Sequence, residues 1–249
     1  YDSYENASEK IVSEKFIYNV SGAEIPARIG WWNFEEKQDT LKSSQGNIQL
    51  TPGNVTDTGL ITMQETLSAS DIEYIDGPTA INGALHIQKG AMFKIEIPED
   101  LSTYSFMFDV KIPDYSSFRS LIQTNPANND DTDICINKSG AIGIGALGYH
   151  GKCLLDTWHR IIVSVNEGAP SIYLDGAFVG GGTTSNERWV LKSKGAYLFC
   201  DNDGNIADFD IAEIAMWDTA LNDAQVAAIG VIGGIIVNFN HKNRRKLYN

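Results

Sequence analysis

The chain has 249 residues, enough for one large β domain or two small ones, with a core that needs no disulfide staples. Lys and Arg number 19 against 32 Asp and Glu, giving a net charge of −13. Such a balance argues against nucleic acid or an anionic membrane surface as the main partner.

Residues 1–27 read as a lead-in or linker from an upstream domain or lipid anchor. Their charged stretch offers only Ile11, Val12 and Phe16 as an apolar face. Tyr1 to Glu5 reads as a mature or trimmed start, not a signal peptide. From Ile29 the pattern becomes strand-like. Strands are expected near 29–34, 47–51, 59–63, 83–88, 91–97, 104–112, 117–123, 132–137, 140–145, 158–166, 170–175, 196–200 and 207–217. Turn signals separate them: Pro52-Gly53-Asn54, Asp76-Gly77-Pro78, Ser139-Gly140 and Asp175-Gly176. Trp158 is expected to plug one end of the core, and alternation points Arg160 outward. Glu213 falls on a polar strand face or in a bulge. A helix is expected near 222–229, capped by Asn222 or Asp223, stopped by Gly230, and lying over Trp217. Residues 28–232 form the domain, and 233–249 a C-terminal tail or edge strand. No apolar run reaches the ~18 residues of a membrane helix. The three cysteines, Cys135, Cys153 and Cys200, lack CxxC spacing and read as buried thiols; one disulfide plus a free thiol is the alternative.

Many short strands without intervening helices predict an all-β sandwich or barrel. Three ordered segments narrow this. The first is Gly148-Tyr149-His150-Gly151 followed by Asp156-Thr157-Trp158-His159-Arg160 and an alternating strand. The second is Ser171 to Val179, with Asp175-Gly176 as a hairpin turn. The third is Tyr197 to Gly204 followed by Asp210-Ile211-Ala212-Glu213-Ile214-Ala215-Met216-Trp217. This order resembles the concanavalin A-like lectin/glucanase superfamily, and in particular its bacterial laminin-G-like surface domains. The resemblance implies a two-sheet antiparallel jelly roll with one short helix. It also implies a secreted or cell-surface bacterial setting and a carbohydrate partner.

Three functional readings follow. The first is a non-catalytic carbohydrate-binding module, whose ligand would meet aromatic faces and planar polar groups. Its candidates are Tyr149, His150, Arg188, Trp189, Asn125 and Asn128, within a wider set that includes Tyr115, Phe118 and Arg119. The second is a protein-interaction or structural domain. The third is a glycoside hydrolase. Asp208-x-Asp210-x-x-Glu213 is similar to the Glu-x-Asp-x-x-Glu strand of such enzymes, but it begins with Asp and lies near the chain end. No catalytic residues are assigned on this reading. His86, His150, His159 and His241 show no HExxH spacing. No cofactor is required, but Asp201-Asn202-Asp203-Gly204 and Asp130-Asp131 are similar to the start of a calcium loop, so Asp201, Asp203, Asp130 and Asp131 are the metal candidates. An Asx-rich turn is the other reading of both clusters.

Overall fold

The computed structural model describes residues 23–35, 40–79, 82–125, 132–201 and 205–232. Most of the expected lead-in, the 233–249 tail, Asn128, Asp130, Asp131 and Asp203 lie outside these residues.

The described strands begin with β1 (Gly30–Trp32), β2 (Leu50–Val55), β3 (Ile61–Met63), β4 (Ile72–Asp76), β5 (Gly83–Ile87) and β6 (Ala91–Ile95). They continue with β7 (Thr103–Lys111), β8 (Arg119–Gln123), β9 (Ile134–Ile136), β10 (Ile142–Ile144) and β11 (Gly148–His150). Last come β12 (His159–Asn166), β13 (Ala169–Leu174), β14 (Ala177–Gly181), β15 (Ala196–Leu198) and β16 (Phe209–Trp217), then helix α1 (Asp223–Ile229). They make two eight-stranded antiparallel sheets. The first runs β14-β13-β12-β7-β16-β5-β4, with β1 also on β16; the second runs β11-β10-β9-β8-β15-β6-β2-β3. The expected jelly-roll sandwich is therefore present.

Alternation explains the core. Tyr104, Phe106, Phe108 and Val110 of β7, with Ile161, Val163 and Val165 of β12, point between the sheets. The Phe106 and Phe108 rings stack at 5.7 Å, and Phe108 meets Phe199 edge-on at the same distance. Asp175 (φ 50°) and Gly176 (φ 80°) close the expected hairpin between β13 and β14, both in the left-handed region.

The outer face of the first sheet is also buried. Leu221, Val226 and Ile229, on and before α1, cover Met107, Ile162, Tyr173, Ala215 and Trp217. Asn222 caps α1 by accepting from the Gln225 amide, while the Gln225 side chain accepts from the Asn222 N–H. The segment before β1 is docked here too: Pro26 O accepts from Trp217 Nε1 (3.0 Å) and Glu24 O from Gln225 Nε2 (3.0 Å).

Several expectations change. Arg160 does face outward from the sandwich core, yet it is only 8% exposed, because α1 roofs that face. Trp158 is half-buried under the Lys111 ammonium (5.3 Å) and plugs nothing. Pro52-Gly53-Asn54 lies inside β2: Gly53 pairs with both Met92 and Met63. A Cβ on Gly53 would sit 2.7 Å from Met92 Sδ, so the glycine serves close packing, not a turn. The cysteines are free and buried. Burial pushes the Cys153 thiol up to about 12 and the Cys200 thiol higher still.

Candidate functional site

The roofed face of the first sheet holds a charge cluster. Adjacent strands bring Arg160, Asp109 and Glu213 side by side. Arg160 Nε donates to Asp109 Oδ1 (2.7 Å) and its Nη2 to Asp109 Oδ2 (2.6 Å), a bidentate fork. The same Nη2 reaches Glu213 Oε2 (3.3 Å), and Nη1 reaches the last carbonyl of α1 at Ile229 (3.3 Å). Trp31 Nε1 donates to Glu213 Oε1 (2.6 Å). The Arg28 guanidinium lies 4.8 Å from the Trp31 ring and 5.5 Å from the Trp217 ring. Burial pushes both carboxyls, Asp109 and Glu213, above the ordinary range. The negative charge of Asp109 pushes Glu213 further, and Arg160 opposes the rise.

This geometry bears on the hydrolase reading. The register shift between Ile211 and Glu213 does put Asp210 and Glu213 on one face, as a bulged catalytic strand would. Both carboxylates are occupied, however. Asp210 Oδ1 meets His86 Nδ1 (2.7 Å) and its Oδ2 meets Lys111 Nζ (2.8 Å). Glu213 is held by Trp31 and Arg160 next to α1. Asp208 precedes the strand, and its carbonyl accepts from Arg119 Nε (3.2 Å). Glu213 thus joins the sheet to β1 and, through Arg160, to the helix, while Asp210 is spent on β5 and β7.

The outer face of the second sheet differs. Tyr149 stands on β11 opposite Gly143 of β10, and the next residues across that row are Cys135 and Ser120. All three are small. A Cβ on Gly143 (φ 149°) would sit 2.1 Å from Gly148 O, so the close β10–β11 hairpin requires glycine. Over this low row, Tyr149 and Phe118 approach with ring centroids 6.3 Å apart, tilted by 51°. Both rings are half-exposed. The Lys138 ammonium lies 5.9 Å from the Phe118 ring, and the Lys152 ammonium 5.9 Å from the Tyr115 ring. Tyr115 donates its hydroxyl to Cys153 O (2.7 Å).

The other expected site residues divide. His150 is a strand residue, not a loop residue. Its Nε2 lies 2.9 Å from Leu147 O, and its ring occupies the space that a Cβ on Gly180 would need, 2.2 Å from Cγ. It therefore wedges β11 against β14, away from the Tyr149 ring. Arg188 and Trp189 sit on a 3-10 turn (Asn186–Trp189). Arg188 Nε pairs with Asp133 Oδ1 (3.1 Å), and Nη2 donates to Thr132 O (2.9 Å). Asp133 Oδ2 accepts from the Thr124 N–H (2.7 Å), and Asn125 O accepts from Gln123 Nε2 (3.3 Å). Asp133 thus ties Arg188 to Thr124, the residue before Asn125. Trp189 corrects the expectation of an exposed stacking ring: it is 1% exposed, with its indole N–H on the Thr184 hydroxyl. Lys138 and Lys152 were not anticipated. The signal for both was modest: a lysine in the Asn137–Gly140 turn and a lysine after Gly151.

Of the calcium candidates, Asp201 is fully buried, and its Oδ1 accepts from the Asn205 N–H four residues on (2.9 Å). Among the described residues no group of three or more His, Cys, Asp or Glu side chains is placed to hold a metal.

A family model described as the concanavalin A-like lectin/glucanases superfamily matches residues 102–227. No curated protein matches the chain by sequence. Among solved structures, domain 4 of AbnA, a GH43 extracellular arabinanase from Geobacillus stearothermophilus in complex with arabinotriose, is 18% identical with a TM-score of 0.56. That match covers 83% of this chain and all of that domain. The Trypanosoma rangeli sialidase in complex with sialic acid is 11% identical with a TM-score of 0.59. That match covers 82% of this chain but only 33% of the sialidase. The binding domain of botulinum neurotoxin serotype G is 14% identical with a TM-score of 0.54, covering 81% of this chain and 50% of that one. At these identities the likeness is one of fold.

Proposed function

The chain belongs to the concanavalin A-like lectin/glucanases superfamily, and from that premise we propose that it is a non-catalytic carbohydrate-binding module acting outside the bacterial cytoplasm. The observation that carries the proposal is the half-exposed Tyr149–Phe118 pair above a row of small residues. Aromatic faces stack on the CH faces of sugars, and part of each of these two rings reaches solvent. The engaged state of Glu213 and Asp210 supports binding over hydrolysis. The arabinanase domain that this chain matches over its full length was solved with a sugar bound, which supports the same reading. An external location follows from the ligand, since polysaccharides are met outside the cytoplasm.

A glycan array with the intact protein is the test. It should show binding to a defined class of glycan, and Tyr149→Ala should weaken that binding by about tenfold or more, the loss of a ~1.4 kcal/mol contact. Tyr149 is half-exposed, so the melting temperature should move little. Unchanged affinity in a folded Tyr149→Ala protein would move the site to the Asn125–Arg188 region. Release of reducing sugar from any bound polysaccharide would replace this reading with the hydrolase.

A further inference from the structure

We propose that the Tyr149–Phe118 site takes an acidic glycan, a chain of sugars bearing carboxylates, and that Lys138 and Lys152 read its charge; this rests on the carbohydrate reading above. The two lysines stand on segments tied together. Lys138 lies in the turn that Gly140 closes by donating its N–H to Asn137 O (2.9 Å). Lys152 precedes Cys153, whose N–H donates to Gly140 O (2.8 Å). Tyr115 locks the same junction: its hydroxyl bonds Cys153 O, and its ring sits where a Cβ on Gly140 would be 2.8 Å away. Two exposed ammonium groups therefore rise from one tied corner, Lys138 beside the Phe118 ring and Lys152 beside the Tyr115 ring.

Neither lysine has a carboxylate partner among the described residues. Of the described lysines, Lys89, Lys94, Lys111 and Lys192 each make an ion pair with an Asp or Glu. Lys42 and Lys194 likewise make no ion pair among the described residues, so what marks this corner is the aromatic ring beside each ammonium. Asp175, whose charge acts on Cys153, is held by His159 and the Arg160 N–H, and Asp114, next to Tyr115, is engaged by its own neighbours. It accepts from the Ser116 amide (2.7 Å) and hydroxyl (2.6 Å) and pairs with Arg119 (3.0 Å). Those Ser116 bonds, and then the Arg119 guanidinium, hold its carboxyl down to about 2. It stays an anion already satisfied by its own neighbours.

The overall charge of −13 does not contradict this. At physiological salt the Debye length is about 8 Å, so a bound ligand feels the local groups and not the far side of the sandwich. A cation over an aromatic face at an exposed site is a weak contact. A ligand carboxylate can therefore claim the ammonium while its sugar ring takes the aromatic face.

The test uses the full chain and four probes: oligogalacturonate, a hyaluronan oligosaccharide, neutral galactan and poly-glutamate. Binding is measured by titration at low and moderate salt, for the wild type and for Lys138→Gln/Lys152→Gln. The expected result is that at least one of the two acidic sugars binds about tenfold or more tighter than galactan, with a salt-dependent affinity. The double variant should lose that preference at an unchanged melting temperature, and the Lys→Arg pair should keep it. Equal binding of acidic and neutral sugars, unaltered in the variant, would overturn the inference and leave the carbohydrate reading standing. Equal binding of poly-glutamate would overturn it too, since charge alone would then be read. Binding to none of these sugars, together with an empty glycan array, would remove both.

Discussion

The two outer faces of the sandwich are built to opposite ends. On the first sheet, Asp109, Arg160 and Glu213 are brought together and then sealed by α1 and by the segment before β1. On the second, Tyr149 and Phe118 overlie Gly143, Cys135 and Ser120 and keep part of their rings in solvent. Polar chemistry that looks catalytic in the sequence lies on the closed face. A partly exposed aromatic pair lies on the other. The carboxylate motif and the aromatic pair thus lie on separate faces, and α1 covers the first.

Removing the central cation of the closed face should produce the largest effect. Arg160→Met would leave two buried carboxylates without their shared partner, and breaking such a network costs about 3–5 kcal/mol. Thermal or urea unfolding should show it, while binding by any surviving folded fraction stays intact. A variant as stable as the wild type would mean that the closed face is not held by charge.

The next effect is a pH dependence. The folded carboxyl of Glu213 sits above its unfolded value, so folding favours its protonated form. Below the unfolded value, both states are protonated and the group contributes nothing. As pH rises toward the folded value, the native state carries an increasing penalty. Glu213→Gln removes that penalty, so the wild type should lose stability relative to the variant as pH rises through and above the usual carboxylate range. A pH-independent difference between the two would contradict the burial argument.

The smallest effect tests how the roof is attached. Asn222→Ala removes the α1 cap and should cost about 1 kcal/mol. The loss should appear first as faster exchange of the Gln225 and Val226 amides. Uniform exchange across the domain would show that α1 has no independent motion.

Much of this fold was legible in the sequence because local chemistry specified it. Asp175-Gly176 between two apolar runs suffices for a hairpin, and Asn222 with Gln225 three residues later suffices for a capped helix. The strands that escaped were short edges. β4 (Ile72–Asp76) and β11 (Gly148–His150) carry no clean alternation, and the glycines around Tyr149 and His150 read as a loop. The site was harder. Alternation gives the face on which Arg160 stands but not the helix that covers that face. Trp189 follows a polar stretch, and the groups that bury it come from distant parts of the chain. Tyr149 was visible as an aromatic between glycines, whereas Lys138 and Lys152 matter only through a junction that joins residues 140 and 153.

The placement of β16 also bears on how the protein is made. This late strand pairs with β7 and β5, and with β1 through Gly30↔Met216 to Trp32↔Ile214. Until residues 209–217 have left the ribosome, β7 and β5 each lack a neighbour on one side. The nascent chain therefore waits with an open slot in the middle of its sheet. Such sequence-distant pairings fold slowly, and unfilled strand edges attract other chains. A translational stall before Phe209 would leave a sticky intermediate, and aggregation in the cell should depend on how quickly synthesis delivers that strand.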